Sequence, residues 1–496
     1  MRELFDRDFD VLVIGGGITG CGVARDAAMR GLSVALVERD DFASGTSGRS
    51  SRLIHGGIRY LEQGRFKLVH ESIRERQILL TIAPQLVKPL AFTWPIYQGA
   101  RIGRLKLSAA LALYQLMALG RSHRPSLLGV KKTLEREPSL QRNRLKGGAV
   151  YYDAATDDSR LTVATAVSAS DNGAVVVNHV SATRILRASD KAIGAELKSQ
   201  NTSETGDVRA RVVVNATGVW QNAGNAIDHG VRSRGSKGVH IAVPRERIGN
   251  HDAVTMISSV DGRVMFCLPA GRQAIVGTTD TWTDEAPEAV HASMADVDYL
   301  LRSANSYFPD ARLAFEDVVS AWAGIRPLVA TQSNNPTSAS REHSIVADPS
   351  GVISVSGGKL TTYRAMAAEV VDRVQQTLGQ NVRRAPTDTL PLETESSDDE
   401  IRRIGQGDPQ LTEPLVAGLV YTPAHLVHGV KRCMAKTLSD LLIRRLHLAF
   451  ETHDHGKDVA SLAAEVVAPL LGWDERTKRA RISEYNADVD RVFTIS

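Results

Sequence analysis

The feature that most constrains the fold is a glycine triplet that directly follows a strand-like apolar run near the start of the chain. The segment FDVLVIGGGITG contains the run Val11 to Ile14 and then Gly15, Gly17 and Gly20 in G-x-G-x-x-G spacing. Helical spacing follows, and GLSVALVE (residues 31 to 38) predicts a second strand. This order predicts a βαβ unit that binds a dinucleotide, with its phosphates at the helix amino terminus.

The glycines and one acidic residue have separate predicted roles. One glycine permits the tight turn, another lets a pyrophosphate approach the backbone, and the third lets helix and strand pack closely. Glu38 ends the second strand, where its carboxylate can bind ribose hydroxyls and would repel the extra phosphate of NADP. A glycine-rich turn in an ordinary α/β core is the alternative interpretation.

Three later segments favour FAD over NAD as the dinucleotide. TSGRSSRLIHGG (residues 46 to 57) is rich in hydroxyl groups and glycine, which suits contact with a pyrophosphate and a ribityl chain. RVVVNATGVW (211 to 220) is a strand that ends in a tight turn, and GVISVSGGKLTTYRAMAAEVVDRV predicts a second glycine-rich helix start. The predicted cofactor contacts are Gly15, Gly17, Gly20, Glu38, Thr46, Ser47, Ser51, Gly56, Gly57, Ala216, Gly218, Gly358, Lys359, Leu360 and Thr361.

In their order, the motifs resemble the FAD-dependent glycerol-3-phosphate dehydrogenases of the aerobic, respiratory type. The series runs GGGITG, SGTSGRSSRLIHGGIRYLE, NATG, KGVHI, GTTD, GIRPL and SGGKLTTYRAMA, and LIHGGIRYLE and GGKLTTYR are the most specific. Gly48 and Arg49 depart from the family pattern, which has small or hydroxylated residues there. The resemblance implies an α/β fold: a Rossmann-like FAD domain of the glutathione-reductase and D-amino-acid-oxidase type, an antiparallel-sheet substrate domain and a helical carboxy-terminal domain.

The chain is predicted to build these domains from separated segments. The FAD domain is assigned residues 1–80, 150–235 and 345–385, the substrate domain 81–149 and 236–344, a linker 386–400, and the helical domain 401–496. RVMFCLPAGRQAIVGTTD (263 to 280) predicts a hairpin of the substrate sheet. VHGVKRCMAKTLSDLLIRRLHLAF (427 to 450) and VASLAAEVVAPLLGW (459 to 473) predict helices.

Oxidation of a secondary alcohol by a flavin needs a base and a device that aligns the substrate. Arginine can align a phosphate through two parallel hydrogen bonds, and Arg59, Arg326 and Arg341 are the candidates. The resemblance implies that Arg59 and Arg341 bind the phosphate, while Arg326 lies closer to the reacting hydroxyl. Tyr60 is a neutral donor, and Thr278 in GTTD is expected to contact the substrate.

The predicted catalytic residues are His240, Arg326 and His55. His240 in KGVHIAV is the first choice as proton acceptor, because an ordinary histidine pKa near 6.5 suits exchange at neutral pH. His55 is the second choice as base and could instead position the flavin. Lys359 is expected to stabilise negative charge on the reduced flavin. No metal site is expected.

Composition limits the partners and the compartment. With 60 basic and 56 acidic residues the formal charge is +4, which does not suggest nucleic-acid binding. The three cysteines are far apart, which favours a reducing compartment over a disulfide framework or zinc site. The charged start MRELFDRDFD does not resemble a signal peptide, and no apolar run is long enough to span a membrane.

One apolar segment nevertheless bears on membrane contact. RIGRLKLSAALALYQLMALGRSHR (101 to 124) has an apolar centre between basic ends, so it could lie in an anionic interface or be a buried helix of the substrate domain. The resemblance implies a cytoplasmic protein held peripherally at the inner face of the membrane, with a quinone as electron acceptor.

The expected reaction is oxidation of sn-glycerol 3-phosphate to dihydroxyacetone phosphate by hydride transfer to FAD. Alternatives are a glycerol-3-phosphate oxidase that uses oxygen, or an amino-acid or hydroxy-acid oxidase on the same fold. A non-catalytic flavin-fold binding protein is the alternative from another class, and it predicts a degraded glycine triplet, whereas the triplet is intact. The sequence leaves a homodimer open.

Overall fold

In the computed structural model, which describes residues 2–118, 123–222, 233–329, 342–393 and 397–496, two sheets adjoin a group of carboxy-terminal helices. The strands are β1 Phe9–Ile14, β2 Val34–Val37, β3 Leu53–Ile54, β4 Val87–Tyr97, β5 Ser126–Leu128, β6 Leu145–Thr156, β7 Val175–Val177, β8 Val180–Ala188, β9 Lys191–Ser199, β10 Thr205–Asn215, β11 Ser233–Pro244, β12 Ala253–Ile257, β13 Val264–Ala270, β14 Gln273–Gly277, β15 Thr281–Thr283, β16 Ser320–Val329, β17 His343–Ala347 and β18 Ile353–Gly357.

The helices cover the sheets and form the carboxy-terminal part of the chain. They are α1 Arg2–Phe5, α2 Ile18–Met29, α3 Phe66–Ile82, α4 Arg104–Met117, α5 Val130–Arg136, α6 Asp158–Asp171, α7 Arg245–Ile248, α8 Met294–Tyr307, α9 Tyr363–Thr377, α10 Ser397–Gly407, α11 Pro423–Lys431, α12 Leu448–Glu451, α13 Ala460–Leu471 and α14 Glu475–Phe493. Within the described residues, none is long and apolar enough to cross a bilayer.

The first sheet has a parallel centre in the order β18, β10, β1, β2, β7. Its central strands read as continuous apolar runs because both faces are buried. Val11 and Val13 pack with α2, α6 and α9 on one face, while Leu12 packs on the other face against the antiparallel strands β8 and β9. The predicted βαβ unit is confirmed as β1, α2 and β2, and the predicted α/β class is correct.

The second sheet is mostly antiparallel, in the order β15, β11, β14, β13, β12, β4, β6, β3. The predicted hairpin is confirmed, because β13 and β14 pair antiparallel from Phe266 and Gly277 to Ala270 and Gln273. β16 lies along the other edge of β11 and places Trp322 opposite His240. This pairing brings residues more than eighty positions apart onto neighbouring strands.

Some strands cross the predicted domain boundaries. β3 lies in the segment predicted for the FAD domain but pairs with β6 of the second sheet, and β6 itself spans the predicted boundary at residue 150. β17 starts before residue 345 yet pairs with β18 of the first sheet. Local patterns identify strands, but hydrogen bonding between distant segments decides which sheet each one joins.

The helix predicted over residues 427–450 is interrupted. α11 ends at Lys431, and the chain continues as a π-helical turn over Asp440–Arg445 and then as α12. Met434 and His447 have positive φ angles, which a continuous helix does not allow. The Asp440 carboxylate accepts the Lys436 and Thr437 backbone N–H groups, so it starts a new turn. Residues 459–473 form the predicted helix as α13.

Candidate active site

A cavity of about 360 Å³ runs from the end of β1 to the sheet formed by β11 and β16. The predicted site residues that line it are Gly15, Gly17, Glu38, Thr46, Ser47, Ser51, His55, Arg59, Tyr60, Ala216, Gly218, His240, Thr278, Arg326, Gly358, Lys359, Leu360 and Thr361. We define the glycine end by Gly15, Gly17, Glu38 and Ser47, and the cationic end by Arg59, His240, Arg326 and Lys359. The tertiary structure thus joins motifs that are separated by hundreds of residues.

The glycine end begins where β1 turns into α2. Gly15 has a φ of +111°, and a Cβ there would lie 2.6 Å from the Ala216 carbonyl oxygen. A Cβ on Gly20 would lie 1.9 Å from the Gly15 carbonyl oxygen, so α2 packs directly on the turn. Gly17 precedes the first residue of α2 and faces the cavity. The amide groups at this helix start favour phosphate oxygens.

Glu38 closes the glycine end at the carboxyl end of β2. Its carboxylate accepts the Gly16 N–H at 2.5 Å and the Asp40 N–H at 2.8 Å. Burial raises the pKa of Glu38 to about 7, although both backbone hydrogen bonds act to lower it. Near neutral pH the side chain therefore exists in both protonation states, and in either one its oxygens can accept a hydroxyl.

The loop after β2 ties the two sheets together along the cavity. The Ser47 hydroxyl accepts the Ile18 N–H at 2.9 Å, which fixes the loop over the start of α2. The Thr46 hydroxyl donates to the Ile325 carbonyl of β16 at 2.6 Å. Ser51 lies at the far end of the loop, with its Oγ 2.8 Å from His240 Nε2. The loop thus connects the glycine end to the predicted base.

Three cationic side chains reach the cationic end from different segments. Arg59 Nη2 donates to the Tyr60 hydroxyl at 3.0 Å, and Lys359 Nζ lies 4.1 Å from the centre of the Tyr60 ring. Arg326 donates to the Thr278 hydroxyl at 2.9 Å and to Asp280 at 3.2 Å. Positive charge on both sides of one cavity favours an anionic ligand.

Arg326 is held in place by residues from three strands and loops. Asp280, which is almost fully buried, pairs with Arg326 and also accepts the Ser236 hydroxyl. A Cβ on Gly238 would lie 2.3 Å from the guanidinium group, so only glycine leaves room for it. Because Asp280 fixes one side of the guanidinium, its geometry is set before any ligand binds.

His240 is almost fully buried at the cationic end. Its ring stacks on Trp322 with centroids 5.4 Å apart, and its Nδ1 has no hydrogen-bond partner among the described residues. Burial, together with Arg326 and Arg52, lowers the pKa of His240 to about 3. The expectation of an ordinary pKa near 6.5 is therefore wrong, because the sequence showed neither the burial nor the nearby cations. The imidazole is neutral and can accept a proton.

The second glycine-rich turn forms one wall of the cavity. Gly357 and Gly358 both have positive φ angles, and the chain then starts α9. The Thr361 hydroxyl accepts the His55 backbone N–H at 3.1 Å and donates to the His55 carbonyl at 3.3 Å. The backbone of His55 is therefore fixed to this turn, and His55 is one of the residues that line the cavity.

Three predicted cofactor contacts in the described part of the chain do not line the cavity: Gly20, Gly56 and Gly57. A Cβ on Gly56 would lie 2.2 Å from the Tyr114 hydroxyl, and one on Gly57 would lie 2.5 Å from the Tyr60 ring. The packing of neighbouring side chains therefore already requires glycine at both positions, and their contact with a flavin stays a prediction. Arg341 lies outside the described residues.

Other residues of the site had no predicted role. Gly238 lies in the motif KGVHI with His240, and Asp280 lies in GTTD with Thr278. Their places in these two motifs are the sequence feature that could have identified them as site residues. The sequence around Trp322 is apolar and contains no motif that would predict its contact with His240. Arg49 also lines the cavity, and burial lowers its pKa to about 10.

Residues 10–411 match the family model of the FAD dependent oxidoreductases, and residues 392–478 match that of the C-terminal domain of alpha-glycerophosphate oxidase. The aerobic glycerol-3-phosphate dehydrogenase of Staphylococcus saprophyticus is 34% identical over 99% of this chain and 96% of its own length. Glycerol-3-phosphate dehydrogenase 2 of Mycobacterium tuberculosis is 36% identical over 99% of this chain and 89% of its own.

A solved structure is similar over nearly the whole chain. The glycerol-3-phosphate dehydrogenase from Bacillus halodurans complexed with FAD superimposes with a TM-score of 0.79 at 30% identity, covering 99% of this chain and 96% of that one. The L-alpha-glycerophosphate oxidase from Mycoplasma pneumoniae, with FAD bound, has a TM-score of 0.58 at 18% identity, and this likeness concerns the fold alone.

Proposed function

The chain belongs to the FAD-dependent glycerol-3-phosphate dehydrogenases, and from this premise we propose that it oxidises sn-glycerol 3-phosphate to dihydroxyacetone phosphate. One observation carries the proposal for this chain. A single cavity joins a dinucleotide-binding turn to a buried neutral histidine and to the cations Arg59, Arg326 and Lys359. Such a site suits a phosphorylated alcohol held beside a flavin.

The residues present fit FAD. Gly15 and Gly17 line the cavity, and α2 begins directly after them, so the backbone of this turn would bind a pyrophosphate at the helix start. Glu38 would accept the ribose hydroxyls, and the second glycine-rich turn supplies Lys359 to the same cavity. These contacts support FAD held across both ends of the cavity, with its adenosine at the glycine end.

FAD, when bound, would supply the hydride acceptor for the oxidation of an alcohol carbon. Arg59 and Arg326 hold the substrate phosphate and hydroxyl by charge-assisted hydrogen bonds. His240 is the proton acceptor: burial, Arg326 and Arg52 keep its ring neutral before the substrate binds, and the negative phosphate would raise its lowered pKa towards the range of a base. Ser51 fixes the ring through Nε2, and Lys359 stabilises negative charge at the cofactor.

The test is an anaerobic reduction. The purified protein is mixed with glycerol 3-phosphate and, separately, with glycerol, lactate and a panel of amino acids, and the visible absorbance of the flavin is followed. Bleaching by glycerol 3-phosphate alone is the expected result. Bleaching by a carboxylate substrate, or by none, would contradict the proposal.

We propose further that the protein binds peripherally to a membrane through α4 and passes its electrons to a quinone. One face of α4 packs against the protein, because Leu107, Leu111 and Tyr114 are buried. The prediction of a buried helix therefore holds for this face of the segment. The outer face carries Leu105 and Leu116, which are 88% and 71% exposed. An apolar face between basic residues is typical of helices that lie in an anionic interface.

This proposal is tested with vesicles. The double variant Leu105→Gln and Leu116→Gln should co-sediment less with phosphatidylglycerol vesicles. Each leucine that becomes buried in the membrane would contribute about 1.5–3 kcal/mol to the free energy of binding. Leu462→Gln on α13, which is 48% exposed, is the control. Equal binding of both variants would exclude α4 as the contact. Reoxidation of the reduced flavin by a quinone analogue, compared with oxygen, tests the acceptor.

A further inference from the structure

A buried carboxylate holds the backbone of the segment that precedes Arg59. Asp153 Oδ1 accepts the Gly56 N–H at 3.1 Å and the Tyr114 hydroxyl at 2.6 Å. Arg76 Nη1 donates to the same oxygen. Asp153, Tyr114 and Arg76 are each at most 5% exposed, so water does not compete for these bonds. One oxygen thus joins α3, α4 and β6 to the segment.

Packing makes this connection specific. A Cβ on Gly56 would lie 2.2 Å from the Tyr114 hydroxyl and 2.6 Å from the Ile73 side chain, so the segment lies directly on α3 and α4. Burial and the neighbouring carboxylate raise the pKa of Tyr114 well above its ordinary value. The hydroxyl therefore stays protonated and remains a donor to Asp153.

The segment continues directly into substrate-binding residues. Gly57 takes a positive φ, and Ile58–Leu61 form a single helical turn that carries Arg59 and Tyr60 into the cavity. After this turn, Glu62 pairs with Lys106 of α4 at 2.6 Å and with Arg101 at 3.3 Å. Both ends of the turn therefore contact α4 or the residues just before it.

We propose that Asp153 and Tyr114 are positioning residues for substrate binding: through the Gly56 N–H they fix the turn that carries Arg59 and Tyr60. Neither side chain lines the cavity, so each acts through the backbone of this turn. The catalytic part of this inference rests on the proposed function, whereas the anchoring of the turn does not.

The test compares two tyrosines that lie in the same core. Tyr114→Phe removes the hydroxyl that reaches Asp153 and keeps the ring. Tyr151→Phe is the matched control, because Tyr151 is equally buried and its hydroxyl contacts Thr255, away from the turn. Both flavin-loaded proteins are studied by hydrogen exchange of a peptide covering residues 53–62, by thermal unfolding and by steady-state kinetics.

We expect faster exchange of the 53–62 peptide in Tyr114→Phe only, and a rise of about tenfold in KM for glycerol 3-phosphate, because a loosened turn would hold Arg59 in its binding position only about a tenth of the time. The kcat should change by less than about twofold, since the base and the flavin contacts remain. Asp153→Asn, which keeps the shape of the side chain, should show a larger effect in the same direction if it folds.

The outcomes separate the two proposals. Unchanged exchange and KM in Tyr114→Phe, with a loss of thermal stability equal to that of Tyr151→Phe, would overturn the positioning role. If glycerol 3-phosphate does not reduce the wild-type flavin, the proposed function fails, while the exchange result still decides whether Tyr114 anchors the turn.

Discussion

At the glycine end of the cavity the contacts come from residues 15–47, within one βαβ unit and the loop after it, whereas the cationic end draws on four separated segments. The first end is built mainly from backbone: a positive φ at Gly15, a helix start at Gly17 and amide groups bound to Glu38. The second is built from side chains such as Arg59, His240 and Arg326. Changes at the glycine end should therefore affect cofactor retention, and changes at Arg59, His240 or Arg326 should affect turnover with the cofactor retained.

Gly15→Ala should have the largest effect on cofactor retention. The added Cβ would lie 2.6 Å from the Ala216 carbonyl oxygen in a backbone conformation that itself costs about 1–3 kcal/mol for other residues. We expect a protein that purifies with less than about a tenth of the wild-type flavin absorbance, because that cost opposes the bound geometry.

Gly31→Ala is the control for Gly15→Ala. Gly31 also has a positive φ, at the other end of α2, but nothing lies within 4 Å of a Cβ there. It should lose some thermal stability and keep its flavin. Equal flavin content in the two variants would contradict a role of the Gly15 turn in flavin binding.

His240→Asn should slow flavin reduction by about 10²–10⁴-fold, the usual contribution of a general base. Flavin content should stay unchanged, because His240 contacts Ser51 and Trp322 rather than the glycine end. Stopped-flow reduction measures the rate, and His70→Asn on the exposed face of α3 is the control. A wild-type reduction rate would transfer the role of base to another residue, with His55 the next to examine.

Arg59→Met should raise KM for glycerol 3-phosphate by about 10- to 100-fold, since a charge-assisted hydrogen bond contributes about 1.5–3 kcal/mol. Arg65→Met is the control: Arg65 lies four residues after the helical turn ends at Leu61, and the substitution removes the same charge outside the cavity lining. Loss of flavin in Arg59→Met would contradict the division between the two ends, since it would give Arg59 a cofactor role.

The smallest expected effect is that of Glu38→Gln. It should change how the thermal stability of the flavin-free protein depends on pH. The folded-state pKa of Glu38 is raised from 4.5 to about 7, so the folded protein binds an extra proton between these values. Stability from this group is present below pH 4.5 and is lost as the pH rises through about 7. Glu38→Gln should flatten the fall in Tm across this range by about one to a few degrees. Glu204→Gln, at an exposed position, is the control and should leave the fall in Tm unchanged. If Glu38→Gln also leaves it unchanged, the pH dependence of stability comes from other groups.

Much of the glycine end could be predicted because its signals are local. A strand, three spaced glycines, a helix and a terminal acid follow one another in fewer than forty residues, and each has a direct steric or electrostatic reason. Motif order also placed His240, Arg326 and Lys359 in one site through the family resemblance. The pKa of His240 could not be predicted from the sequence, because it depends on burial and on cations from other segments.

Gly56 shows the limit most clearly. Its place in a glycine pair predicted an approach to the cofactor, yet the structure shows it packed against Tyr114, fifty-eight residues away, and bonded to Asp153. The same local signal, a glycine where space is short, arises from either cause. Only the neighbours decide between them.

The sequence by itself determined the βαβ unit, the cofactor class and the residue types needed for phosphate and proton chemistry, because these depend on backbone freedom and charge within short segments. The tertiary structure alone decided that β16 lies beside β11, that Trp322 stacks on His240 and that Asp280 fixes Arg326. These contacts join residues from distant strands, and pairing between strands depends on the free energy of the whole packed sheet rather than on any local pattern.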